Sequence, residues 1–240
     1  WATIRDLAAT NPLSHPLPFS MGAMEFPLPP PPHLVEIYAS VFQALAGDPS
    51  QPKTLMRLMP REHGKSEGVS HVIPSWAALN DPNIRILIMS ETAQQAEGKL
   101  AECSETIGRL APQCGHEVVL DNADALTLRR SQTHDVPTIR AAGMSTGVTG
   151  GHYDLVLFDD IISWESQRTE DRREKMWQQF QDYLNLGSGG DTVFLVIGTR
   201  KHPDDLYNKL LERPAWDCRV ERAIQDWSVV ENREYRVETD

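Results

Sequence analysis

Apolar positions in this chain fall into two kinds of run. Short, nearly unbroken runs at Thr54 to Leu58, Ile84 to Met89, Leu155 to Phe158 and Val193 to Ile197 have the length of strands covered on both faces. Between them the apolar residues recur at helical spacing. Leu34, Ile37, Tyr38, Val41, Phe42 and Leu45 form one stripe, stopped by Gly47 and Pro49. Ala93, Ala96, Leu100, Cys103, Ile107 and Leu110 form a second, behind a capping box of Thr92 and Gln95. A third, from about Thr169 to Leu186, carries Met176, Trp177, Phe180, Tyr183 and Leu184. Shorter helices are predicted from about Lys65 to Ala78 and from Pro203, with Asp204 and Asp205 in the first turn of the latter. Weaker strand signals lie near His116 to Leu120, Leu126 to Arg129 and Thr138 to Ala141, and Gly187 to Gly190 reads as a turn. The alternation predicts an α/β fold: a doubly wound, mostly parallel sheet with helices on both faces.

Residues 1–32 are set apart by eight of the seventeen prolines, a density that predicts an extended arm with no regular helix or strand. The folded domain is expected over 33–222, followed by a linker or lid segment over 223–240. No apolar run approaches membrane-spanning length. Three cysteines, Cys103, Cys114 and Cys218, match no zinc spacing and point to a reducing compartment. A formal charge of −11 argues against a broad basic face for nucleic acid, so any DNA contact is expected in a few loops or in a part of the protein outside this sequence. The start at Trp1, without an initiator Met, suggests a piece of something longer.

The chemistry concentrates at two places. Met59-Pro60-Arg61-Glu62-His63-Gly64-Lys65-Ser66 follows a strand and opens a helix, the context of a phosphate-binding loop. Backbone N–H groups there cradle a polyphosphate, Lys65 reaches its outer oxygens and the Ser66 hydroxyl ligates Mg²⁺. The usual first glycine is replaced by Met59. Tyr153-Asp154-Leu155-Val156-Leu157-Phe158-Asp159-Asp160 then places two carboxylates at the end of an apolar strand. The pair has two readings: caps of a helix starting near Ser163 to Ser166, or a metal ligand (Asp159) beside a carboxylate that orients or deprotonates the attacking water (Asp160). A phosphate loop upstream favours the second.

With these motifs in hand, the chain resembles the N-terminal ATPase domain of tailed-virus terminase large subunits, P-loop NTPases of the ASCE type. Pro60 to Ser66 is similar to the family's modified phosphate loop, and Ile88-Met89-Ser90-Glu91-Thr92 with Ala96 to its second strand. Gly150-Gly151-His152-Tyr153-Asp154 leading to Asp159-Asp160 resembles its acidic motif. Ile197-Gly198-Thr199-Arg200-Lys201-His202-Pro203-Asp204-Asp205-Leu206-Tyr207 resembles its coupling motif. The likeness covers about residues 26–220, and the strand–helix alternation gives an additional strand between the two phosphate motifs. The likeness implies that Glu62, His63, Gly64, Lys65 and Ser66 bind ATP, that Ser66 and Asp159 hold Mg²⁺, and that Asp160 is the catalytic carboxylate. Thr199 couples hydrolysis to movement, and Arg61 contacts the γ-phosphate or a neighbouring loop. His33 falls near the adenine in this scheme, or is simply a helix-start histidine.

The resemblance further implies a motor moving double-stranded viral DNA into a procapsid in the host cytoplasm. Its partners would be a portal protein, a terminase small subunit and neighbouring copies in a five-membered ring. Family members often carry arginines in the segment matching Gly143 to Gly151, one of them a finger for the next subunit; here Thr149 and His152 stand there, leaving Arg140 and Arg200 as weak substitutes. Relatives also continue into an RNase H-like nuclease, whereas this chain stops at Asp240, so no nuclease activity is expected of it. Two alternatives stay open: a non-catalytic, nucleotide-gated docking module, and another P-loop nucleic-acid translocase.

Overall fold

The computed structural model of the protein describes residues 10–24, 30–61, 63–148, 150–187 and 190–221. Eight strands form one sheet: β1 (Thr54–Leu58), β2 (Ile86–Ser90), β3 (Val118–Asp121), β4 (Ala125–Leu128), β5 (Ile139–Gly143), β6 (Leu155–Asp159), β7 (Val193–Gly198) and β8 (Asp217–Val220). Their order is β3-β4-β5-β2-β6-β7-β1-β8. From β5 to β8 every pairing is parallel; β3 and β4 add antiparallel strands at one edge. The strand β7 lies between β1 and β6, so one strand separates the lysine-bearing loop from the acidic strand, as expected.

Alternation along the strands feeds two cores. Leu55, Ile86, Ile88, Leu155, Leu157, Leu195 and Ile197 face α1 (Pro16–Gly22), α2 (Pro32–Leu45), the helix α3 (Val72–Asn80) and α4 (Ala93–Leu110). Met56, Leu58, Leu87, Met89, Val156, Phe158 and Val196 face α5 (Glu170–Leu184) and α6 (Leu206–Leu211). Residues two apart share a face, which is why continuous apolar runs suit a sheet covered on both sides. The Thr92–Gln95 capping box is formed, and Ala96, Leu100, Cys103, Ile107 and Leu110 are buried beneath α4. Among the described residues no helix is long and apolar enough to cross a membrane.

Two expectations need correction, and one strand was not foreseen. The proline-rich arm is not simply extended: a 3-10 turn at Pro12–Ser14 leads into α1, whose Leu17 and Phe19 are buried in the core. Prolines cost nothing there, because Pro16 and Pro18 lie in the first turn of α1, where N–H groups have no helical acceptor. The His15 Nδ1 caps this turn by accepting from the Leu17 N–H at 3.0 Å. The last helix begins at Leu206 rather than Pro203. Asp205 is its N-cap, and one carboxylate accepts from the Asn208, Lys201 and His202 N–H groups. Finally, β8 has no counterpart in the apolar pattern; it is a mixed, half-exposed edge strand held by pairing with β1. The proposed linker over 223–240, and Ser188 and Gly189 of the predicted turn, lie outside the described residues.

Candidate active site at the strand ends

The loop after β1 is anchored at its first residue by two hydrogen bonds. The Met59 N–H donates to the Gly198 carbonyl at 3.0 Å, and the Thr199 hydroxyl donates to the Met59 carbonyl at 3.0 Å, tying the loop to the end of β7. Met59 itself is buried in the core, which is what the loop gains from a non-glycine there. Gly64 adopts φ +72°, the left-handed conformation that glycine takes without strain. Lys65 follows, 8 % exposed, at the start of a π-type turn over Ser66–His71 that runs into α3. Such turns leave backbone carbonyls without regular partners. Here α2 supplies one: the Tyr38 hydroxyl donates to the Gly68 carbonyl at 2.6 Å. Gly68 permits this close approach, since a Cβ there would lie 2.5 Å from Leu34 Cδ1.

The acidic strand delivers its carboxylates to the same place. Asp159 is fully buried, and its Oδ2 accepts from the Ser70 hydroxyl at 2.6 Å and pairs with Lys99 Nζ at 2.5 Å. Its Oδ1 has no partner among the described residues. Asp160 turns the chain with φ 48°, a left-handed conformation that aspartate tolerates at a cost of roughly 1 kcal/mol. Its Oδ2 pairs with Lys65 Nζ and its Oδ1 accepts from the Thr199 N–H at 3.2 Å. Lys65, Asp160, Thr199 and Met59 therefore close a ring across the ends of β1, β7 and β6. Behind it, burial raises the Tyr207 hydroxyl well above its ordinary pKa, and the charges of Asp160, Asp159 and Asp205 add to the effect. A cleft of about 270 Å³ opens beside the pair, walled by Ser90, Gln95, Lys99, Glu102, Asp159 and Asp160.

The structure brings together Gly64, Lys65, Asp159, Asp160 and Thr199, with Ser66 half-buried at the start of the turn. His33 lies against the loop: its Nε2 is 3.0 Å from the His63 carbonyl, and the two rings are 6.0 Å apart. His63 in turn places its Nδ1 2.9 Å from the Arg61 carbonyl. Arg61 is exposed, with no ion pair among the described residues; Glu62 and Thr149 lie outside them. Arg140 belongs to the other end of the sheet, near the start of β5 and beside Tyr153. Arg200 is exposed next to Thr199, with Nη2 3.3 Å from Asn208 Oδ1. Lys99 and Ser70 were not foreseen. Lys99 sits on the polar flank of an amphipathic helix and Ser70 five positions past Lys65, and neither setting distinguishes them from surface residues.

The residues present fit a hard divalent cation. Asp159 offers a buried, unpartnered oxygen, and the Ser66 hydroxyl stands on the loop. Among the described residues no group of three or more His, Cys, Asp or Glu forms a protein-only metal cage.

No protein-family model matches the chain. In sequence it is 22 % identical over 142 residues to the terminase large subunit of Enterobacteria phage T3, an alignment covering 56 % of this chain and 24 % of that protein. The chain thus matches only about a quarter of that relative's length. In structure it is similar to the large terminase ATPase domain of Thermus phage P74-26, with a TM-score of 0.51 and 21 % identity over 79 % of this chain and 82 % of that one. The HK97 bacteriophage large terminase gives a TM-score of 0.54 and 16 % identity, over 82 % of this chain and 40 % of that one. These likenesses establish an α/β P-loop fold. Taken with the motifs, they place the chain's similarity with phage terminase large subunits, over their ATPase domain.

Proposed function

We propose that this chain is the ATP-hydrolysing motor domain of a DNA-packaging terminase. The carrying observation is the ring in which Lys65 pairs with Asp160 and Thr199 contacts both Asp160 and the loop carbonyl of Met59. It unites the phosphate loop, the acidic strand and the coupling strand at one point, as hydrolysis of a terminal phosphate requires.

In this reading the backbone of the loop, with Lys65 and Ser66, holds the triphosphate, and His63 and His33 shape the loop's outer side. Ser66 and Asp159 would hold Mg²⁺, which when bound supplies neutralising charge to the phosphate oxygens. Asp160, freed from Lys65 once the lysine turns to phosphate, orients the attacking water and accepts its proton. Thr199 senses the change because its N–H is bonded to the same carboxylate, and passes it to the loop through Met59. Arg61, exposed on the loop, would contact the γ-phosphate or a neighbouring loop. We extend the reading to the whole assembly: a homo-oligomeric ring on a portal protein, with a small-subunit partner, translocating double-stranded DNA in the host cytoplasm.

The test separates binding from turnover. Mg²⁺-dependent ATP hydrolysis falls by about 100-fold or more in Asp160→Asn, the contribution of a positioned general base, while nucleotide binding persists. Equal turnover in Asp160→Asn and wild type would remove the mechanism. Binding without turnover in the assembled wild-type protein would instead support the nucleotide-gated docking module.

A further inference from the structure

Asp159 uses one oxygen for two donors and leaves the other bare. Lys99, whose ammonium is 2.5 Å from Oδ2, belongs to neither the phosphate loop nor the acidic strand. It comes from α4, one turn beyond Gln95, and its side chain is 16 % exposed along the cleft wall. We propose that Lys99 is the internal counter-ion of Asp159, surrendering the carboxylate when a divalent cation arrives with nucleotide and so setting how much Mg²⁺ the site demands. This rests on the nucleotide-hydrolysing reading and deepens it.

Three features lead to it. A carboxylate removed from water requires a compensating cation, and Lys65 is committed to Asp160, so Lys99 is the cation on Asp159 among the described residues. An ammonium and a divalent ion on one carboxylate repel each other strongly at contact range, so one must withdraw. Lys99 is the partner able to do so. Asp159 ends a central strand with no exposure, whereas Lys99 has a long unbranched stem beside open space, with Glu102 on the same wall as a second acceptor. The helix itself stays put: its capping box is formed, and Gly143 packs so tightly on it that a Cβ would lie 2.4 Å from the Ala93 nitrogen. The exchange therefore runs through side-chain torsions.

The experiment titrates Mg²⁺ against binding of a fluorescent ATP analogue and follows thermal unfolding in EDTA. Lys99→Met keeps the stem and removes the charge. It is expected to melt roughly 5 °C or more below wild type in EDTA, and to need on the order of tenfold less Mg²⁺ for half-maximal nucleotide binding. Lys99→Arg retains wild-type behaviour. Lys99→Met combined with Asp159→Asn, which removes both charges, recovers the melting temperature in EDTA and loses the response to Mg²⁺. An unchanged or increased Mg²⁺ demand in Lys99→Met overturns the counter-ion role. If that single variant does not fold, failure of the double variant to recover overturns it equally. Wild-type protein that binds no nucleotide would overturn the underlying reading instead.

Discussion

Two charge clusters flank β1, and they differ in how completely they are satisfied. In the first, Arg57 is buried between α2 and β8. Its Nε and Nη2 reach Glu36 at 3.0 and 2.9 Å, Nη2 also reaches Asp217 Oδ2 at 2.7 Å, and Nη1 donates to the Asp217 and Met56 carbonyls. Arg219 adds a second cation on Glu36 at 3.0 Å. Every nitrogen of the guanidinium is engaged, and the cluster can do nothing but hold three elements together. The second cluster has two lysines for two aspartates but is unfinished: Asp159 Oδ1 is bare, Asp160 sits in a left-handed conformation, and a cleft opens beside both. A saturated network resists change, whereas one with a spare oxygen and singly paired cations can accept a ligand by exchanging partners. Both clusters bury charge; what separates them is an unsatisfied oxygen beside open space.

The contrast can be broken by experiment. Arg57→Met leaves Glu36 and Asp217, each 25 % exposed, with Arg219 as their remaining cation among the described residues, and should cost about 3 kcal/mol in urea denaturation, the low end for a buried pair losing one partner. Nucleotide affinity in the folded fraction should stay at the wild-type value; a loss there would show that the two clusters are coupled. A smaller effect is expected from Gly198→Ala, where a Cβ would lie 2.2 Å from the Tyr207 hydroxyl, inside a fully buried ring. Overpacking of this kind costs about 1–3 kcal/mol, and since Gly198 receives the Met59 N–H, hydrolysis should fall as well. Unchanged hydrolysis would detach the end of β7 from the site.

Much of this was legible because it rests on local rules. Continuous apolar runs gave the four central strands, and Thr92 with Gln95 gave the start of α4, within the usual drift of element ends. Lys65, Asp159, Asp160 and Thr199 were found as motif residues, and the fold gathers them. What stayed hidden depends on contacts distant in sequence. The prolines of residues 1–32 suggested an extended arm, yet Pro16 and Pro18 sit where a helix tolerates them, and the burial of Leu17 and Phe19 decides the outcome. β8 carries Asp-Cys-Arg-Val with no apolar rhythm, and becomes a strand because Arg57 and the open edge of β1 await it. Asp205 outranked Pro203 as the helix start because one carboxylate satisfies three backbone N–H groups. Lys99 meets Asp159 only through the packing of α4 against the sheet, a contact distant in sequence.

On the proposed reading, the lysine loop and the twin aspartates form one nucleotide site. Calorimetric titration of ATP with Mg²⁺ into wild type and Lys65→Ala tests it most directly. One ATP per chain should bind to wild type, and binding should weaken by roughly 100-fold in Lys65→Ala, as expected for losing a charge-assisted phosphate contact of about 3 kcal/mol. Equal affinity in the two proteins would rule out Lys65 as part of a nucleotide site.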